Sequence, residues 1–249
     1  MKLGAQFYTL RNRAATPEGL RECFKVIHDI GYDNAQMSAI CKVEPEYLRG
    51  LSEEFSLPIV CTHSSFDRIT GDTDALIREH KIYGCPVIGI GGMPGELRGS
   101  VEGAREFLRR ISEPMKKISD AGLKFAYHNH AFEFANDGKP VFDILIEEAP
   151  EMNFILDTYW IKYAGRDMLS YIRKIGAARM QNVHFKDMRS EPKGDICPCG
   201  DGVIDFRPVI ALCDELGIPN ALVEQDNAPD LGDEFLQMKS SHDFLRPLL

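Results

Sequence analysis

At 249 residues, 44% hydrophobic and 27% charged, the chain is sized for one hydrophobic core and too apolar for a disordered segment. Its net charge of −9, with no basic stripe to offset it, argues against a nucleic-acid partner, and no apolar run is long enough to span a bilayer. The opening Met1-Lys2-Leu3-Gly4-Ala5-Gln6-Phe7 lacks a signal-peptide apolar stretch, and the seven cysteines are odd in number without framework spacing, so a cytoplasmic protein with reduced thiols is expected.

Short apolar runs alternate with longer segments of helical period, the pattern of repeated βα units. In chain order the first strand is predicted at 3–8. The first helix follows, with Thr16 as N-cap, Pro17 at its first position, an inward face of Leu20, Phe24, Ile27 and Ile30, and Gly31 as its stop. Strands at 34–38, 58–63 and 87–91 alternate with helices at 46–55 and 73–83. The clearest helix comes next, where Val101, Ala104, Leu108, Ile111, Met115 and Ile118 recur at three- and four-residue steps until Gly122, with a kink expected at Pro114. Strands at 124–128, 153–157, 180–184 and 221–224 then alternate with helices at 141–148, 168–175, 206–216 and 234–245. Eight strands, each with its helix, spell a single (β/α)8 TIM barrel occupying 1–249 as one domain. The longest irregular stretch, 187–202, is expected to act as a lid.

In such a barrel the site is built where strands end. The fifth strand delivers His128, Asn129 and His130 and continues to Glu133; the sixth ends in Asp157; the seventh delivers His184, Lys186 and Asp187; the eighth delivers Glu224, Gln225 and Asp226. Carboxylates crowded at one rim repel one another unless a cation neutralises them, and a mixed imidazole and carboxylate set suits one divalent Mn, Zn, Co or Fe better than calcium, with Mg also admitted. His63 closes the third strand as a pocket residue or a satisfied structural histidine. His28, His80 and His242 lie on helices without an assigned role. Cys197-Pro198-Cys199 lacks the second pair a structural zinc needs, and Gly89-Ile90-Gly91-Gly92 reads as a tight turn, not a phosphate loop.

Tyr-His-Asn-His-Ala-Phe-Glu-Phe (127–134), Leu-Asp-Thr-Tyr-Trp (156–160), Val-His-Phe-Lys-Asp (183–187), Gly-Asp-Gly-Val-Ile-Asp-Phe (200–206) and Val-Glu-Gln-Asp (223–226) together resemble the sugar phosphate isomerase/epimerase group of xylose isomerase-like TIM barrels. The resemblance covers essentially the whole chain. It implies a metal held by Glu, Asp, His and Glu from strands five to eight, which carries over to Asp157, His184 and Glu224. Strand five departs from the pattern: Tyr127-His128 stands where ketose epimerases carry a ligand glutamate, so Glu133 is expected as the fourth ligand, with His128 as the alternative. The same departure makes His130 the expected general base, with His128 second and Glu224 as the opposite partner. Lys186 is expected to donate to a substrate oxygen or to sit as a paired lysine, and Trp160 to wall the sugar or pack in the rim.

The activity implied first is isomerisation or epimerisation of a keto sugar or polyol, by proton abstraction next to a carbonyl through a metal-stabilised enediolate. The alternative is elimination from the same intermediate, as in inosose dehydratases and enzymes of 3-keto sugars; a noncatalytic sugar-binding barrel ranks lower. Apurinic endonucleases share this barrel, but the acidic charge opposes DNA. Asp226, Asp230, Asp233 and Glu234 after the last strand disfavour a phosphorylated substrate, although Lys186, Arg189 and Lys193 oppose that effect. The expected partner is a small neutral sugar or polyol, with no nucleic acid or membrane, and a homo-oligomer is admitted.

Overall fold

Eight parallel strands close into a barrel: β1 (Lys2–Gln6), β2 (Asn34–Met37), β3 (Ile59–His63), β4 (Val87–Ile90), β5 (Lys124–His128), β6 (Asn153–Asp157), β7 (Met180–Phe185) and β8 (Asn220–Val223). Each pairs with its neighbours in the chain, and β8 pairs back onto β1. The computed structural model describes residues 1–135 and 138–249. All eight predicted strands are present, and the (β/α)8 barrel is the fold. Strand one is shorter than expected, because the Gln6 side chain turns to accept the Tyr8 amide at 3.0 Å and starts a 3-10 turn at Phe7–Leu10.

Among the described residues ten helices surround the strands: α1 (Pro17–Ile30), α2 (Pro45–Glu54), α3 (Phe66–Gly71), α4 (Thr73–Ile82), α5 (Val101–Asp120), α6 (Val141–Glu148), α7 (Thr158–Tyr163), α8 (Met168–Ile175), α9 (Phe206–Leu216) and α10 (Glu234–Leu245). In α1 the Thr16 hydroxyl accepts the Gly19 amide at 3.1 Å, Pro17 fills the first position, and Gly31 ends the helix at φ +109°, a left-handed geometry that suits glycine. Leu20, Phe24 and Ile27 are buried as expected, while Ile30 is only half-buried. Helix α5 is one twenty-residue element with Pro114 inside it. Its inner face carries Phe107 in place of the expected Leu108, alongside Ala104, Ile111, Met115 and Ile118. The short α3 and α7 were not foreseen; their N-caps are Ser65, two residues beyond β3, and Asp157, the last residue of β6. Among the described residues no helix is long and apolar enough to cross a membrane.

The strand period of two decides what the barrel encloses. Cys61, Ala126 and Ile155 share the inward face with residues two positions on, and with Val87 they form a separate small apolar cluster. Gly89 is held in this layer by space, since a Cβ there would lie 2.3 Å from the Thr62 carbonyl oxygen and 3.1 Å from Ile155. One step towards the strand ends, the same faces carry Gln6, Gln36, His63, His128, Asp157, His184 and Glu224 in one polar layer. The larger apolar cluster, with Phe24, Phe107, Phe142, Phe154, Phe185 and Phe206, is built from the outward strand faces and the helices around them.

The 187–202 segment is anchored, which revises the lid expectation. Asp187–Met188 pairs antiparallel with Ile196–Cys197 in a small ribbon. The buried Asp187 carboxylate accepts the amides of Met188, Gly200, Gly202 and Ile204 at 2.7–3.1 Å. Ser241 accepts the Cys199 amide, Asn227 donates to the Ile196 carbonyl and Tyr159 to the Gly194 carbonyl. Asp187→Ala would leave four amides without their partner, those of Met188 and Ile204 buried, and should cost about 3 kcal/mol of unfolding free energy. Urea denaturation would show this as a lowered midpoint; an unchanged midpoint would mean that the segment is held by other contacts.

Candidate active site

Register brings the predicted residues together. Asp157 at the end of β6 lies opposite His184 on β7, His128 ends β5 one strand away, and Glu224 follows β8 with its amide on the Phe185 carbonyl. His128 Nε2 is 3.3 Å from Asp157 Oδ2, and His184 Nδ1 is 3.0 Å from Glu224 Oε2 and 3.9 Å from Asp157 Oδ2. One donor atom from each of His128, Asp157, His184 and Glu224 lies within 4.8 Å of all the others, and all four residues are buried. Two imidazole nitrogens and two carboxylate oxygens so spaced fit a divalent transition metal.

Glu133, expected as the fourth ligand, stands outside this cluster, whose fourth donor is His128, the alternative named with it. The reason is geometric. Glu133 lies five residues beyond the strand, in the 3-10 turn Phe132–Phe134, and its carboxylate folds back to accept the Tyr127 hydroxyl at 2.7 Å and the His130 amide at 2.8 Å. His128 instead ends β5 on the inward face. Glu133 therefore positions the turn that carries His130.

Two glutamines not singled out in the sequence complete the polar layer. Gln36 Oε1 sits 2.8 Å from His184 Nε2 and would hold a proton there whenever Nδ1 binds an ion in the cluster; Gln6 Nε2 donates to Glu224 Oε1 at 3.1 Å. Their signal was present: both sit at the inward strand position that matches His63 and His128. Asp157 does double duty, since Oδ1 caps α7 by accepting the Trp160 amide while Oδ2 faces the cluster.

Lys186 is buried, and its ammonium lies 3.1 Å from Asp157 Oδ2, 2.8 Å from Glu224 Oε2, and 3.0 and 3.2 Å from the two oxygens of Asp226. Burial alone would depress its pKa, but the three carboxylates hold it well above the usual lysine value. Burial likewise opposes the charge of Glu224, yet Lys186 and His184 keep that carboxyl well below the usual range. Three carboxylates against one ammonium leave two negative charges, which one divalent cation balances.

Above the cluster opens a cavity of ≈280 Å³ whose lining includes Tyr8, Ser38, His63, His130, Lys186 and Asp226. Burial drives the imidazoles of His63, His128 and His130 well below their ordinary pKa, so they are neutral at physiological pH. The His130 ring stacks on Phe132, lies 5.3 Å from Trp160 and 4.8 Å from His128, and has room because a Cβ at Gly92 would approach its Nδ1 to 3.3 Å. His63 Nε2, His128 Nδ1, His130 Nδ1, Gln36 Nε2 and Trp160 Nε1 are buried without hydrogen-bond partners. Such an array suits a ligand rich in oxygen atoms. His80, by contrast, is structural: it bonds Thr62, Tyr83 and the Leu76 carbonyl.

His128→Ala should lose tight Mn2+ binding in calorimetry whereas Glu133→Gln should retain it; the reverse result would restore Glu133 as the ligand. Gln36→Leu should weaken Mn2+ by about 10- to 100-fold, and Lys186→Met, by removing a cation from the same oxygens, should tighten it by about tenfold or more. Burial pushes Glu133 up to about 8 from its usual 4.5, so the folded chain holds an extra proton between those values and loses stability as pH rises through them. Glu133→Gln should flatten the stability profile between pH 5 and about 8, a change readable by thermal melts across that range.

An inosose dehydratase of Clostridium beijerinckii is 23% identical over 214 residues, 78% of this chain and 66% of that protein, so the chain spans a little under two thirds of that relative's length. A sugar phosphate isomerase/epimerase structure from Parabacteroides distasonis superposes with a TM-score of 0.80 at 21% identity, covering 99% of this chain and 98% of the other. The probable 3-DHS dehydratase from Bacillus anthracis superposes at 0.72 with 15% identity, over 98% and 99% of the two chains. The model of the xylose isomerase-like TIM barrels matches residues 24–248, and the chain belongs to that family.

Proposed function

We propose that the chain is a divalent-metal-dependent dehydratase or lyase that removes the proton next to the carbonyl of a neutral keto sugar or cyclitol and then eliminates a β-substituent. The observation that carries this reading is the four-donor cluster of His128, Asp157, His184 and Glu224 at the floor of a cavity lined by neutral imidazoles and one fixed ammonium. A divalent ion held by those residues would polarise the carbonyl oxygen and offset the charge of the enediolate.

The chain's own groups do the rest. Neutral His130, its Nδ1 unpartnered, its ring against Phe132 and Trp160 and its backbone amide held by Glu133, accepts the α-proton. Lys186 donates to the oxygen on which negative charge builds. The proton taken by His130 leaves with the β-oxygen, so that a hydroxyl departs as water and a C=C bond forms between the α and β carbons. A neutral substrate agrees with the charge count, because a site balanced by one divalent cation has no positive surplus for a phosphate.

Elimination is favoured over epimerisation because Glu133 is turned away from the cluster, leaving Glu224 as its sole glutamate, whereas the family resemblance gives ketose epimerases two metal-facing glutamates. The inosose dehydratase relatives point the same way. Isomerisation or epimerisation is the second reading. It is supported by Glu224 and Asp226, which flank the cavity from the β8 side, three strands round the barrel from His130, and could return a proton from another direction.

Incubation of the Mn2+-loaded protein with inososes and 3-keto hexoses in deuterated water separates the readings by mass spectrometry. Loss of water or of a substituent is expected; solvent deuterium gained at an unbroken substrate would establish the second reading, and neither change would overturn both. His130→Asn should keep metal binding and lower turnover by about two to four orders of magnitude. Because burial lowers the His130 pKa from 6.5, the acid limb of the wild-type rate should lie below pH 6.5. A limb centred above it would point to another base.

A further inference from the structure

We infer that Asp226 is a positioning residue for Lys186: it takes over the ammonium when the donor cluster binds an ion, which frees Asp157 and Glu224 for that ion and keeps the ammonium at the cavity wall. The inference rests on the ion of the functional reading above. It gives a task to the one carboxylate on the ammonium that lies outside the four-donor cluster.

The three carboxylates touch the ammonium unequally. Asp157 and Glu224 each have one oxygen engaged elsewhere, since Asp157 Oδ1 accepts the Trp160 amide at 3.0 Å and Glu224 Oε1 accepts from Gln6 Nε2 at 3.1 Å. That leaves Asp157 Oδ2 and Glu224 Oε2. These two oxygens face His128 Nε2 and His184 Nδ1, and Lys186 Nζ approaches the same two to 3.1 and 2.8 Å. The donor cluster and the ammonium therefore draw on the same pair of atoms, and two cations sharing them would repel each other.

Asp226 is the acceptor within reach. Both of its oxygens lie close to Nζ, at 3.0 and 3.2 Å, and among the described residues no other cation is paired with it. Only Oδ2 accepts a hydrogen bond from Nζ; Oδ1 is buried without one, so a small turn of the ammonium towards Asp226 would satisfy it. An ammonium has three N–H donors. Turned from the cluster, it can give one to each oxygen of Asp226 and the third to a ligand in the cavity, which Lys186 and Asp226 both line. The movement is confined to the side chain, because Thr158 Oγ1 ties the amide and the carbonyl of Lys186. Charge fits the division: Asp157 and Glu224 balance one divalent ion, and Asp226 balances the lysine.

The test is a double-mutant cycle on Mn2+ affinity, read by calorimetry for the wild type, Asp226→Asn, Lys186→Met and the double variant. If Lys186 keeps its place on ion binding, its contact with Asp226 cancels from the cycle, and Asp226→Asn weakens Mn2+ by the same factor in both backgrounds. The inference expects a loss at least about fivefold larger with Lys186 present than with methionine there, because the variant leaves the ammonium on the oxygens that the ion needs. Melting temperatures report on folding, and Asp226→Ala provides a second variant for the same cycle. A smaller difference, equal losses included, or no loss in the wild-type background overturns the inference and leaves the ion site standing. Failure of the wild type to bind Mn2+ overturns the ion of the functional reading and this inference with it.

Discussion

Three carboxylates, Asp157, Glu224 and Asp226, converge on one buried ammonium, and this concentration of charge is the constraint on which the rest of the site depends. Buried carboxylates at such distances are tolerable only when paired and hydrogen-bonded. Lys186 supplies one compensating charge, and Gln6 and the Trp160 amide supply hydrogen bonds. The two negative charges that remain are what one divalent cation at the mouth of the barrel would balance. They also make that mouth a poor place for a second anion, which is why the charge balance bears on the substrate as well as on the metal.

The scaffold meets this demand by holding the backbone on both sides of each charged group. The Lys186 amide donates to Thr158 Oγ1, and the same hydroxyl reaches the carbonyls of His184 and Lys186, tying β7 to the start of α7. Directly after Lys186, the Asp187 carboxylate gathers four amides of the following loop. A segment that composition marks as irregular is thereby rigid where it adjoins the site. Gly202 serves that purpose: a Cβ there would lie 2.4 Å from Asp187 Oδ1, so only a residue without a side chain lets the amide reach the carboxylate.

Strand five shows where a linear reading goes astray. Searching for a glutamate after Tyr127-His128 leads to Glu133, because a carboxylate is the chemically obvious partner for a metal. Strand geometry leads to His128, because the inward face passes through Ala126 and His128 and then ends. Glu133, released from the strand, turns back onto Tyr127 and His130 and becomes the brace of the turn. With an imidazole where a carboxylate was expected, the four clustered donors carry less negative charge and include one glutamate, Glu224.

The sequence by itself determined the eightfold alternation of strands and helices and the rim at which Asp157, His184 and Glu224 come together, because hydrophobic periodicity and the residue at each strand end are local properties of the chain. Gln6 and Gln36 were legible in principle through the same period of two, yet nothing local distinguishes a ligand-orienting glutamine from an ordinary buried one. Only the tertiary structure decided between His128 and Glu133 and surrounded Lys186 with three carboxylates. Those outcomes depend on the register between strands and on where loops of different length bring their side chains. They are relations between residues as much as 218 positions apart, as Gln6 and Glu224 are, and are fixed only when the barrel closes.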